Sequence, residues 1–94
     1  MNIKELPIIR KDGRGTIYDC DKLKFISRKK GTISANHEHS VQEILYLIIG
    51  EVELTVGDET KTVQAPIKIT LPPGTYHKLV ALTDIAILED REGE

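Results

Sequence analysis

A single cysteine, Cys20, occurs in the 94-residue chain. No internal disulfide can form and a thiolate metal cluster is excluded, which leaves Cys20 as a small, half-buried side chain in a strand. Charge of one sign is missing too. Lys and Arg total 13 against 15 for Asp and Glu, so there is no positive field of the kind that draws a protein to nucleic acid or an anionic membrane, and neither partner is expected. The longest apolar run, Ile44 to Ile49, falls far below the ~20 residues that cross a bilayer. Met1-Asn2-Ile3-Lys4-Glu5 places an acid where a secretory signal would begin its apolar core, and no small-residue cleavage site follows. A cytoplasmic location is the expectation. Repeats, low-complexity stretches and linker composition are absent, as is any three-to-four residue apolar spacing over the ~10 residues of an ordinary helix.

What remains is ordinary in bulk and patterned in detail. Apolar residues make up 39% and charged residues 30% of the chain, within the range of a globular protein, and the length suits one domain spanning residues 1–94. The residues alternate with a period of two. Val52, Leu54 and Val56 alternate with Glu51, Glu53 and Thr55, and Ile67, Ile69 and Leu71 repeat the pattern around Lys68 and Thr70, as in strands buried on one face. Gly50 and Gly57-Asp58 supply turn chemistry on either side of the strand from Glu51 to Val56, which predicts two hairpins. Further strands are expected over Thr16 to Asp19, Leu23 to Lys30, Ile33 to His39, Tyr76 to Leu82 and Ile85 to Asp90. The reading is all-β, a sandwich or a closed barrel, because closure removes exposed edges. The basic run Arg28-Lys29-Lys30 reads as a solvated strand end rather than a phosphate site.

All three histidines sit in two places, His37-Glu38-His39 and the end of Pro72-Pro73-Gly74-Thr75-Tyr76-His77. Residues two apart on a strand share a face, so His37 and His39 point inward together while Glu38 points out. If Ser40 to Gln42 form a bend, Glu43, Leu45 and Leu47 occupy the inner face of the next strand. His77 shares its parity with Leu79 and Ala81 and faces the same interior. A strand histidine is more often a hydrogen-bonded core residue than a ligand. Three imidazoles and a carboxylate gathered in one small interior would, however, each need a partner, and one divalent metal ion satisfies all four. The donor set suits Fe, Mn, Co, Ni, Cu or Zn, and the sequence does not choose among them.

These residues also carry a resemblance. Gly31, five residues, His37-Glu38-His39, three residues, Glu43, six residues and Gly50 are similar, position by position, to the first motif of the cupin superfamily. Pro72, Gly74 and His77 represent the second motif, with Pro66 standing where a glycine is expected and Ala81 where an asparagine is expected. The resemblance covers Gly31 to Ala81 and implies a double-stranded β-helix, a small jelly-roll-like barrel. A shorter likeness lies upstream: Asp12-Gly13-Arg14-Gly15 resembles the Asp-x-Arg-Gly opening of cupins that isomerise or epimerise nucleotide-linked sugars. Their arginine three residues before the first histidine is here Ser34.

The function classes that follow are a metal-dependent enzyme acting on a small oxygen-rich molecule, as a sugar-type isomerase or epimerase or as a dioxygenase, and a non-catalytic module that binds or senses a small ligand. Parity also leaves Ile44, Tyr46 and Ile48 as an outer apolar row. Either a second copy of the chain covers it, giving a homodimer, or the segment Leu6-Pro7-Ile8-Ile9 does. Replacing His37, His39 or His77 by Ala is expected to lower metal content strongly when measured on purified protein, whereas Glu38→Ala, on the opposite face of its strand, leaves it unchanged.

Overall fold

The computed structural model describes residues 1–38 and 40–91; His39, residues 92–94 and the side chains of Ala35, Asn36, His37 and Arg91 lie outside the description. Ten strands and no helix occur among the described residues: β1 Ile8–Asp12, β2 Gly15–Cys20, β3 Leu23–Arg28, β4 Ile33–His37, β5 Glu43–Ile49, β6 Glu51–Val56, β7 Glu59–Gln64, β8 Ile67–Leu71, β9 His77–Ala81 and β10 Ile85–Arg91. All pair antiparallel, in a six-stranded sheet of order β1-β2-β3-β10-β5-β8 and a four-stranded sheet of order β4-β9-β6-β7. No helix long and apolar enough to cross a membrane is present among the described residues.

The alternation in the sequence becomes one shared interior. Leu45, Leu47, Ile69, Leu71, Ile85 and Ile87 from the larger sheet meet Val52, Leu79 and Ala81 from the smaller one in a single cluster of buried side chains. Each fully buried aliphatic side chain stabilises this sandwich by about 1.5–3 kcal/mol. Among the described residues the two sheets do not join into one continuous ladder, and they face each other as the small sandwich-like barrel that the sequence implies.

One of the two expected hairpins forms. Val56 pairs with Glu59 across the two-residue Gly57-Asp58 turn. At Gly50 the chain instead changes sheets, leaving β5 in the larger and entering β6 in the smaller. That corner is tight: Gly50 has φ +103, and a Cβ there would meet the Asp84 carbonyl at 2.6 Å and the Thr83 hydroxyl at 2.7 Å. The Thr83 hydroxyl also accepts the Glu51 N–H at 3.1 Å, which fixes the corner on the β9–β10 turn. One strand, β1, was not expected from the pattern, and β7 was implied only as the second arm of the Gly57-Asp58 hairpin. The N-terminal segment pairs with β2 at the edge of the larger sheet, where the Asp19 N–H donates to the Pro7 carbonyl at 2.9 Å. Three strands separate it from β5 in the sheet, and Leu6, Ile8 and Ile9 are exposed, so it does not cover the outer row of β5.

Gly50→Ala should destabilise the protein by about 1–3 kcal/mol through left-handed backbone strain and contact with Asp84, lowering the thermal midpoint by several degrees. Gly13→Ala, where a Cβ meets nothing within 4 Å, should melt as the wild type does.

Candidate metal centre and cavity

Glu43 opens β5 and His77 opens β9, one in each sheet, and their shared inward parity brings them together between the sheets. Their side chains are each 2% exposed, with His77 Nε2 3.9 Å from Glu43 Oε1. His77 Nδ1 lies 3.2 Å from the Thr75 carbonyl. A carbonyl only accepts, so this hydrogen bond places the ring proton on Nδ1 and gives Nε2 a lone pair directed toward the carboxylate side. A carbonyl holding the far nitrogen is the arrangement that orients a metal-ligating imidazole. The pair therefore fits two donors of one cation site, and it is the part of the expected donor set that the described side chains bring together.

His37 enters by backbone register alone. Its Cα pairs with that of His77, and the ladder shifts between Ser34 and His37, where β4 advances three residues against two on β9. Such a bulge reverses which parity of β4 matches β9. The His37 side chain and His39 lie outside the described residues, and no group of three or more potential ligands occurs among the described ones. Glu38, expected to face outward, is exposed.

Glu43 also lines a cavity of about 510 Å³, the size of an ordinary small-molecule site. Its walls come from the larger sheet and from Ile33, Ser34 and Leu79 of the smaller. Sequence reasoning missed its charged members. Arg28 was grouped with Lys29 and Lys30 as a solvated strand end; Lys29 and Lys30 are exposed, but Arg28 is 8% exposed and lines the cavity. Lys24 and Glu89 line it too. The signal was parity, since Lys24 and Arg28 share the parity of the inward Ile26, and Glu89 that of Ile85 and Ile87.

Arg14 sits in the turn between β1 and β2, as the sequence allowed, and also reaches the cavity rim. Its Nε and Nη2 donate to Asp12 Oδ2 at 3.2 and 2.8 Å. Those hydrogen bonds hold the Asp12 carboxyl well below the usual carboxylate range and raise the Arg14 pKa in turn. Burial pushes the Arg28 pKa down, and the like charge of Arg14 adds to the effect.

The chain belongs to the cupin family: the pattern described as "Cupin domain" matches residues 25–88. No curated protein matches it. Among solved structures it is similar to a conserved protein of unknown function from Streptococcus pyogenes, at 25% identity and TM-score 0.67, covering 71% of this chain and 59% of that one. It resembles the capsular polysaccharide assembling protein CapF from Staphylococcus aureus, at 18% identity and TM-score 0.79, over 93% of this chain and 28% of that one. It also resembles a salicylate 1,2-dioxygenase from Pseudaminobacter salicylatoxidans, at 14% identity and TM-score 0.69, over 81% of this chain and 21% of that one. The chain thus spans less than two thirds of each of these relatives, and the last two likenesses concern the fold.

Proposed function

We propose that His37, His39, Glu43 and His77 hold one divalent metal ion and that the adjoining cavity binds or transforms a small oxygen-rich molecule. The observation that carries this reading is the buried Glu43–His77 approach of 3.9 Å at the cavity wall, with His77 Nδ1 committed to a carbonyl. An ion there would supply Lewis acidity toward a carbonyl or enediolate or, in the case of iron, the redox capacity that an oxygen-dependent cleavage needs. The chain's own groups supply the rest. Thr75 fixes the imidazole, Leu45, Leu79 and Ile87 keep water from the inner wall, and Glu43 and Glu89 are the carboxylates among the described lining residues that can take a proton.

Two chemistries fit this site. Isomerisation or epimerisation of a sugar-like substrate is supported by the Asp12–Arg14 pair on the rim and by the likeness to CapF. Oxygen-dependent cleavage is supported by the likeness to the salicylate dioxygenase. A binding or sensor role without turnover draws support from the small number of proton-handling groups in the wall. Oxygen uptake during turnover separates the first two: consumption stoichiometric with product marks a dioxygenase, and unchanged rates under nitrogen mark an isomerase. Chelation should abolish either activity, and turnover that survives metal removal would defeat the proposal.

The site is proposed to work in a single-domain chain that forms a homodimer through the outer face of β5. Ile44 and Tyr46 are half-buried there and Ile48 is 43% exposed. Light scattering at micromolar concentration should report twice the 10.5 kDa chain mass, and Ile48→Lys should halve it; a wild-type monomer would overturn this part.

A further inference from the structure

The charges around the cavity do not balance. Arg10, Arg14, Lys24 and Arg28 face Glu43 and Glu89. Most of these cations have an answering carboxylate. Arg14 is hydrogen-bonded to Asp12, Arg10 Nε lies 3.3 Å from the same carboxylate, and Lys24 stands opposite Glu89 in the β3–β10 register. Arg28 does not. Its cross-strand neighbour is the buried Ile85, and its Nη1 donates at 3.1 Å to the carbonyl of Ser27, next to it in the chain. Among the described residues Arg28 makes no ion pair, and its buried Nε has no hydrogen-bond partner.

An unanswered guanidinium inside a protein opposes folding, yet the backbone around this one is held firmly. The Lys29 N–H donates to the Arg14 carbonyl at 2.8 Å and the Thr16 N–H to Ser27 Oγ at 3.0 Å. Gly15 lets β2 approach so closely that a Cβ there would collide with the Ser27 carbonyl. A cation on so fixed a support is prepared for a partner before the partner arrives. The planar guanidinium suits the oxygens of a carboxylate or phosphate, and the cavity, at about 510 Å³, has room for a ligand larger than the anion alone.

We propose that Arg28, through the face of its guanidinium that lines this cavity, anchors the oxyanion, carboxylate or phosphate, of a small ligand that fills it. The inference rests on the proposed function for the cavity as a ligand site and not for the ion.

The test is calorimetric titration with pyruvate and with inorganic phosphate at constant ionic strength in a chloride background, on the metal-loaded protein. Wild type should bind at least one probe, and which one it binds tells carboxylate from phosphate. Arg28→Met and Arg28→Lys should each weaken that binding about tenfold or more, the lysine because it keeps charge but loses the planar set of guanidinium donors. Lys29→Met, at the exposed neighbour, should not. Unliganded Arg28→Met should melt no lower than wild type, since it removes a buried charge, and should keep its metal; if it fails to fold, Arg28→Lys carries the test. Equal affinities in Arg28→Met and Lys29→Met, or wild-type protein that loads metal and binds neither probe, would overturn the anchor. Probe binding that persists in a metal-free His77→Ala protein would instead support the anchor independently of the ion.

Discussion

The meeting of a carboxylate and an imidazole between two sheets is the constraint on which the rest of this small protein depends. Glu43 and His77 are withdrawn from water, and removing a charged or strongly polar group from water costs several kcal/mol unless something answers it. The strands that carry them provide the offset. Along β5 the same face continues from Glu43 into Leu45 and Leu47, and along β9 from His77 into Leu79 and Ala81, all buried. Each strand thus has a polar end and an apolar body on one face. At about 1.5–3 kcal/mol for each buried leucine, the bodies can hold the polar ends in place.

How much of this could be read from the residues depends on which face each strand buries. The one-sided strands were legible because their apolar residues repeat every second position: β6 and β8 match their expected limits, and β9 and β10 differ by no more than one residue at an end. In β1 all five residues are exposed and in β7 only Val63 is partly buried, so neither offers an alternation to detect. The corner at Gly50 shows a second limit. Turn residues announce that the chain reverses, but not whether the next strand joins the same sheet or crosses to the other.

The candidate site divides in the same way. Glu43 and His77 were legible because ligand chemistry and strand parity pointed to the same residues, whereas the places of His37 and His39 were read from a strict alternation that the β4–β9 register interrupts before His37. Arg28 was obscured by its neighbours: three consecutive basic residues look like one solvated patch until the period of two separates the first from the second. Glu89 was overlooked for the related reason that a charged residue at the end of an apolar strand is usually taken to mark the return to solvent.

The order of the larger sheet also makes the cavity wall unequal. Its inner strands β3, β10 and β5 are each paired on both sides, but β1 is paired only with β2, and β1 and the turn after it supply Ile9, Arg10 and Arg14 to the rim. A strand with one neighbour and no buried side chain separates at far less free energy than the sheet behind it. The vessel therefore has a rigid floor and one loose stave. Fraying of that single edge ladder would loosen one side of the rim and leave Glu43, His77 and the hydrocarbon core undisturbed.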